Sequence, residues 1–143
     1  MQVDIVKELN PLVIEELARL EKEIFHESYY SVEILKDMVK SEDYKILIVK
    51  EEVVQGYLIL HDSYDVFEIM KIAVREEFRK RGIAEKLIQT YFTLEEKNLL
   101  LEVRESNTIA QKFYKKLKFE AIGKRKNYYP NGETAILMLL EIN

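Results

Sequence analysis

The stretch Arg79-Lys80-Arg81-Gly82-Ile83-Ala84 lies between two apolar runs and decides how the chain around it folds. Residues 66–74 before it are rich in Val, Ile and Phe, which is typical of a strand, and residues 83–94 after it repeat apolar side chains at helical spacing. At such a strand-to-helix turn the first helical N–H groups have no internal partner, and the helix dipole adds partial positive charge. Gly82 allows the backbone to approach a bulky anion, and the small Ala84 keeps the helix start open. The turn is therefore predicted to bind a phosphorylated ligand; the alternative is a surface turn with solvated basic side chains.

Length and composition indicate one globular domain, residues 1–143, because 48% of the residues are hydrophobic and 34% are charged. No apolar run approaches the ~20 residues that cross a bilayer, and the N-terminus does not resemble a signal peptide. The absence of cysteine excludes disulfides, thiolate zinc sites and a cysteine nucleophile, and it predicts a cytoplasmic protein. Two histidines far apart in sequence do not suggest a metal site. The net charge of -4 argues against nucleic-acid binding, while basic clusters at 75–81, 112–118 and 124–126 favour a small anionic ligand.

The apolar pattern elsewhere alternates between the periods of strands and of helices. Caps are predicted at Asn10, before Pro11, at Ser31, and at Ser106 or Asn107. The third helix is expected to end near Asn98, and the fourth carries Ile109, Phe113 and Leu117 at helical spacing. The predicted strands are 2–9, 44–50, 53–61, 66–74, 99–103, 119–126 and 134–142, which gives the order βααβββαβαββ. Because hairpins are mixed with βαβ crossovers, the fold class is α/β (α+β), a mixed, mostly antiparallel sheet with helices on both faces.

This order, with the basic turn after the fourth strand, resembles the GNAT family of acetyl-CoA-dependent N-acetyltransferases. The family's pyrophosphate motif is Arg or Gln, two residues, Gly, one residue, then Gly or Ala, and Arg79-x-x-Gly82-x-Ala84 matches it in full. Segments 101–107, 113–119 and 125–130 are similar to the bacterial ribosomal-protein-alanine N-acetyltransferases, the RimI type. The chain departs from that pattern at Lys118, where relatives carry Gly, and at 25–28, where Phe-His-Glu-Ser replaces Phe-Pro-Trp-Ser.

The resemblance implies how acetyl-CoA is held. Backbone amides of the basic turn would bind the pyrophosphate, and one edge of the fourth strand would pair with the pantetheine arm, with an oxyanion-binding N–H at a bulge around Ile72. Asn107 would contact the cofactor, although its residue type alone is equally explained by a helix cap. The cofactor-binding residues expected in this way are Ile72, Ala73, Val74, Arg79, Lys80, Arg81, Gly82, Ile83, Ala84, Asn107 and Tyr114.

The resemblance also implies two catalytic residues, Glu102 and Tyr114. Glu102 interrupts a Leu-rich strand, so from sequence alone it is either a solvated strand-end residue or a half-buried carboxylate; the relatives use this Glu as general base, through a water. Tyr114 is either a core aromatic or, as in the relatives, the general acid at the thioester sulfur; either Tyr114 or Phe113 should face the core. A glutamate with a pKa of ~4.3 is a modest base, which suits an α-amine at ~7.7–8.0 better than a lysine amine at ~10.4.

Aromatic residues in two loops are candidates for the acceptor site, and exposed loop aromatics are the alternative. They are Tyr29, Tyr30, Tyr128 and Tyr129. The predicted function is acetyl transfer from acetyl-CoA, in a ternary complex, to the N-terminal α-amine (Ala or Ser) of a protein such as a ribosomal protein.

Two other functions stay open at this point. One is a GNAT enzyme for a polyamine or an aminoglycoside, with an acidic pocket made by Asp62, Asp65 and Glu68. The other is an acyl-CoA-binding module without turnover. The sequence predicts neither a nucleic-acid nor a membrane partner, and it favours a monomer or a weak homodimer.

Overall fold

The computed structural model describes residues 1–142 and places seven strands in one sheet. The predicted order βααβββαβαββ is confirmed, apart from a short 3-10 turn at Glu76–Phe78. The elements are β1 (Val3–Ile5), α1 (Pro11–Ile24), α2 (Val32–Lys40), β2 (Tyr44–Lys50), β3 (Val54–Asp62), β4 (Val66–Val74), α3 (Ile83–Leu94), β5 (Asn98–Arg104), α4 (Thr108–Lys116), β6 (Glu120–Arg125) and β7 (Ala135–Leu140). β4 and α3 have the predicted bounds, whereas β1 is shorter than predicted. Asn98 begins β5 and does not end α3, because the helix stops at Leu94.

The sheet has the strand order β1-β2-β3-β4-β5-β7-β6. The pair β4–β5 is parallel, and the other neighbouring pairs are antiparallel, which confirms the mixed, mostly antiparallel sheet. Helices cover both faces, so the molecule has two hydrophobic cores. One core joins α1 and α2 to the sheet through Leu17, Leu35, Ile46, Tyr57 and Ile59. The other joins α3 and the end of α4 to it through Leu58, Leu87, Tyr91, Leu101 and Phe119.

Side-chain caps begin three of the helices where the sequence predicts them. The Asn10 side chain accepts hydrogen bonds from the N–H groups of Leu12 and Val13, and Ser31 caps α2. For α4 the cap is Asn107, which the sequence left open between two residues. Such caps contribute about 1 kcal/mol each. Within residues 1–142, no helix combines the length and the apolar character needed to cross a bilayer.

The parallel strands β4 and β5 stay together for only three residue pairs. They pair at Val66 with Asn98, Phe67 with Leu99 and Glu68 with Leu100. β5 pairs with β7 on its other side from Leu99 to Arg104. Beyond Glu68, the described part of the chain places no strand against the β5-facing edge of β4. A cleft therefore opens at the carboxyl ends of two parallel strands, which is where ligands bind in open α/β sheets.

Candidate active site

The basic turn between β4 and α3 presents unpaired backbone N–H groups. Lys80 and Gly82 adopt positive φ angles of 64° and 79°. The N–H groups of residues 80–84 make no backbone hydrogen bond to any other group of the described chain, 1–142. A Cβ built on Gly82 would meet no heavy atom within 4 Å, so the space in front of the turn is open. This turn, at a helix N-terminus, is suited to bind an anion such as a pyrophosphate.

Arg79 shapes this turn from within. Its N–H donates to the carbonyl of Glu76 at 3.3 Å, and its Nε donates to the carbonyl of Val74 at 3.0 Å. Because both donors are engaged within the chain, the free amides of the turn begin at Lys80 and not at the predicted Arg79.

The open edge of β4 offers two of the three residues predicted to pair with pantetheine. The Arg75 N–H donates to the carbonyl of Gln55 on β3 at 2.8 Å. Hydrogen-bonding direction alternates along an antiparallel ladder, so Ala73 also points its backbone groups at β3, while Ile72 and Val74 point theirs into the cleft. Ala73 therefore stabilises the edge strand but offers no backbone donor to a ligand in the cleft.

The bulge in β4 lies at Met70, two residues before the predicted position at Ile72. Lys71 pairs with Ile59 and Ile69 pairs with Leu60, which leaves Met70 without a partner residue on β3. A bulge re-aims the backbone groups beside it, here at the point where β4 and β5 have just parted. The sequence carries no Gly or Pro that would have marked this position.

Glu102 lies on the β5 face opposite to the core formed with α3 and α4. Its neighbours Leu101 and Val103 are buried in that core, so alternation places Glu102 on the other face. The side chain is only 12% exposed, and its Oε1 lies 3.9 Å from Arg125 Nε. Its Oε2 is buried and has no hydrogen-bond partner within residues 1–142. Glu102 is therefore a half-buried carboxylate with an accepting oxygen available to a water or an amine, and not a solvated strand-end residue.

A second carboxylate, Glu68, faces the same side of the sheet from β4. Burial raises the pKa of Glu68, and the negative charge of Glu102 raises it further. Of the three acidic residues that the sequence suggested for an acidic pocket, only Glu68 lies at this site. Asp62 is engaged by Lys97 Nζ at 2.8 Å, a hydrogen bond that lowers its pKa, and Asp65 is exposed in the β3–β4 turn.

The loop between β6 and β7 brings Tyr128 and Tyr129 to Glu102. Hydrogen-bonding attraction to the Glu102 carboxylate raises the pKa of Tyr128. The Arg104 guanidinium carbon lies 4.0 Å from the Tyr129 ring centroid, and burial followed by the charge of Glu102 raises the pKa of Tyr129. Glu133 anchors the loop, because it accepts hydrogen bonds from the Ser106 N–H at 2.8 Å and from Arg104 Nη1 at 3.1 Å.

Tyr114 is the member of the Phe113–Tyr114 pair that turns inward. Its ring contacts Phe119, with 5.8 Å between centroids, while Phe113 is 38% exposed. Burial raises the pKa of Tyr114 to about 12, with a further contribution from Tyr129, so the hydroxyl stays protonated at neutral pH. A hydroxyl with this pKa stabilises a leaving thiolate mainly as a hydrogen-bond donor. The outer face of α4 is exposed to solvent, and Ile109 on it is 82% exposed.

The two tyrosines of the loop between α1 and α2 have different positions. Tyr30 is half-buried, and burial followed by the charge of Glu21 raises its pKa to about 12. Glu68 also contributes, so Tyr30 lies on the same side of the sheet as Glu68 and Glu102. Tyr29 is 41% exposed, and the nearest cation to its ring is Lys22 on the outer surface of α1. The structure thus brings Tyr30 to the site and leaves Tyr29 outside it.

The sequence pattern of the acetyltransferase (GNAT) family matches residues 11–119. The chain belongs to the GNAT acetyltransferase family. This GNAT protein is 37% identical over 103 residues, 68% of each chain, to a Bacillus subtilis protein named, as a provisional assignment, [ribosomal protein bS18]-alanine N-acetyltransferase. The matches to other curated relatives cover 45–64% of those proteins.

Two solved structures share the GNAT fold with this chain. The ribosomal-protein-S18-alanine N-acetyltransferase from Escherichia coli superimposes with a TM-score of 0.75 at 25% identity, over 99% of this chain and 96% of that one. Arabidopsis thaliana NAA60 in complex with acetyl-CoA superimposes with a TM-score of 0.78 at 20% identity, over 99% of each chain. The GNAT protein is accordingly an N-acetyltransferase with acetyl-CoA as co-substrate. This confirms the prediction of an enzyme, and the alternative of a binding module without turnover was wrong.

Proposed function

We propose that this GNAT enzyme acetylates the N-terminal α-amine of a protein whose first residue is Ala or Ser, by direct attack in a ternary complex. The observation that carries the proposal is the buried, unpartnered Oε2 of Glu102 on the face where Tyr30, Tyr128 and Tyr129 converge. The Bacillus subtilis and Escherichia coli relatives are named for acetylation of an alanine in a ribosomal protein, which supports a ribosomal protein as acceptor. The proposal includes a cytoplasmic monomer or weak homodimer with no nucleic-acid or membrane partner.

Acetyl-CoA would occupy the cleft between β4 and β5. The free amides of residues 80–84 would bind its pyrophosphate, and the outward backbone groups of Ile72 and Val74 would pair with the pantetheine arm. Asn107 would serve twice. Its Oδ1 already accepts the Ala110 N–H at 3.0 Å, and its amide nitrogen would donate to the cofactor.

The acceptor amine would approach from the face that carries Glu102. Glu102, through a water, would take one proton from the α-ammonium, and the free amine would form a bond to the thioester carbon. Backbone N–H groups beside the Met70 bulge would stabilise the oxyanion, and the carbon–sulfur bond would then break. As the amide forms, the attacking nitrogen would release its second proton. Tyr114 would donate a hydrogen bond to the departing thiolate, which takes up that proton through solvent to give coenzyme A. An α-amine requires less work for its deprotonation than a lysine, since each pKa unit corresponds to ~1.4 kcal/mol.

A small polyamine or aminoglycoside is the second candidate acceptor. It is supported by Glu68, which places a second negative charge beside Glu102 where a polycation would bind.

The two candidates differ in one competition experiment. Equimolar peptide with a free N-terminal Ala or Ser, the same peptide with a blocked N-terminus and an internal Lys, and spermidine are offered together with acetyl-CoA. The proposal expects acetylation of the α-amine, located by mass spectrometry, with kcat/KM at least about tenfold above spermidine, the ratio equivalent to ~1.4 kcal/mol. Preference for spermidine would favour the small-amine function, and a peptide array with varied first residues would then define the range of acceptors.

A further inference from the structure

Lys71, the residue after the Met70 bulge, carries a buried charge that the mechanism above does not use. It pairs with Ile59 across β3 and β4, so its side chain lies on the face covered by α1 and α2. The side chain is 9% exposed, and Nζ lies 3.1 Å from Oε1 of Glu21, which is fully buried on α1. Buried charges in proteins are paired, and this pair connects the last turn of α1 to β4.

Both members of the pair also bind the backbone of the loop at residues 25–31. Lys71 Nζ donates to the carbonyl of Ser28, and Glu21 Oε1 accepts the Tyr30 N–H at 3.0 Å. The Lys71 ammonium also lies 4.0 Å from the ring centroid of Phe25 and 4.7 Å from that of Tyr30, within the range of cation–π attraction. One lysine is thus enclosed by a carboxylate, a carbonyl and two rings, and three of these four partners belong to the loop.

Tyr57 binds the second oxygen of the Glu21 carboxylate. Its hydroxyl donates to Glu21 Oε2 at 2.5 Å from the middle of β3. Glu21 therefore cannot follow the loop if the loop moves, because one oxygen is held by the sheet while the other holds Tyr30 and Lys71.

We propose that Lys71 and Glu21 are positioning residues that hold the 25–31 loop, and with it Tyr30, as one wall of the acceptor groove at a set distance from the β4 bulge. The inference rests on the proposed function, because it assumes that an acceptor binds between this loop and Tyr128. A buried ion pair adds little stability over apolar residues of similar volume, so stability alone does not explain one here. Its remaining donor and acceptor capacity is directed at loop backbone that has few other bonds, which is what positioning requires.

Three variants separate positioning from stability. Lys71→Met keeps the length and apolar contacts of the side chain but removes the ammonium, and Lys71→Arg keeps a cation. The double variant E21Q/K71M removes both charges, while the Gln oxygen can still accept from the Tyr30 N–H and the Gln amide nitrogen can donate to the Tyr57 hydroxyl. Lys45→Met is the matched control, because it breaks the half-exposed Lys45–Glu95 pair, 3.2 Å long, which joins β2 to the end of α3 away from the loop.

Steady-state kinetics with the N-terminal peptide and chymotrypsin cleavage after residues 25, 29 and 30 are the two measurements. For Lys71→Met we expect the peptide KM to rise at least about tenfold, the KM for acetyl-CoA to stay within twofold, and loop cleavage to accelerate at least about tenfold. Lys71→Arg is expected to stay within about threefold of wild type in the peptide KM. The double variant is expected to unfold near the wild-type temperature yet keep the raised peptide KM, which a merely structural role would not produce.

Several results would overturn the inference. An unchanged peptide KM in Lys71→Met would do so, as would recovery of that KM in the double variant or an equal rise in Lys45→Met. If the wild-type enzyme acetylates no peptide, the proposed function fails, and the cleavage rate then decides whether the pair holds the loop.

Discussion

The turn proposed to bind the cofactor and the groove proposed to bind the acceptor are built by opposite means. The turn is one contiguous segment, and its donors are backbone amides at residues 80–84. The groove is assembled from four separate segments, 25–31, 68–71, 102–104 and 125–129, and it is lined by side chains. A backbone site depends on conformation, so most substitutions in it are tolerated if φ and ψ are kept. A side-chain site changes with each residue, which suits the part of an enzyme that selects its acceptor.

The largest test of this contrast is Glu102→Gln. We expect kcat to fall about 10²–10⁴-fold, the usual contribution of a positioned acid or base, while the Kd for coenzyme A stays within twofold. The measurement is peptide acetylation by thiol release, with calorimetry for coenzyme A. Glu105→Gln is the matched control, because Glu105 lies three positions further on and its side chain is 50% exposed. A rate within threefold of wild type would remove Glu102 from the mechanism.

Tyr114→Phe tests the residue proposed to stabilise the leaving thiolate. A hydrogen bond to a charged group contributes about 1.5–3 kcal/mol, so losing the one to the thiolate should slow kcat about ten- to hundredfold. Binding of coenzyme A and of peptide should change little. The control is Tyr64→Phe, at a residue that is 89% exposed, and equal rates for the two variants would contradict the assigned role.

Gly82→Ala tests the backbone-built region by itself. Its φ of 79° costs a residue with a Cβ about 1–2 kcal/mol, so the amides should be misaligned and coenzyme A should bind about 5–30-fold more weakly by calorimetry. Gly132→Ala is the matched control in the β6–β7 loop, with a φ of 85° and equally open space. Gly132→Ala should lower stability without changing the Kd for coenzyme A. A similar Kd in both variants would contradict the proposal that the amides at residues 80–84 bind the cofactor.

Lys118→Gly tests a residue with a positive φ that lies outside both the basic turn and the proposed acceptor groove. Lys118 follows α4 with a φ of 78°, in the left-handed region that favours Gly. Relief of this strain should raise the free energy of unfolding in urea by about 1 kcal/mol. Lys116→Gly, inside the last helical turn, should lower it by about 1 kcal/mol instead. A loss of stability in both variants would show that Lys118 gains more from its contacts than its backbone costs.

Glu68→Gln should give the smallest effect, and the size of that effect should depend on pH. Because its pKa is raised in the folded protein, the charged form of Glu68 destabilises the fold above that pKa, and the protonated form does not. The variant should therefore melt at a higher temperature than wild type at pH 7.5, and the difference should shrink as the pH falls toward the ordinary glutamate pKa. A constant difference across that range would mean that the charge of Glu68, destabilised by burial and by the repulsion from Glu102, is not its cause.

Local sequence was sufficient where a structure depends on neighbouring residues. The strand Val66–Val74, the helix Ile83–Leu94 and the Asn10 and Ser31 caps follow from periodicity and from capping side chains within three residues. The free amides of the basic turn have the same origin, because they follow from where a helix begins. Family resemblance added Glu102 and Tyr114 as candidates.

Tertiary structure decided what depends on contacts between distant residues. Register between β3 and β4 set the bulge at Met70, and strand alternation turned Ala73 away from the cleft. The separate positions of Tyr29 and Tyr30, and the burial of Glu21 against Lys71, depend on packing α1 against the sheet. Such contacts join distant residues, for example Glu21 and Lys71, which are 50 positions apart. Their free energies depend on burial, which a short sequence window does not contain. The sequence by itself thus determined the elements and the basic turn, whereas the tertiary structure decided the proposed acceptor groove, because charge and hydrogen bonding there depend on exclusion from water.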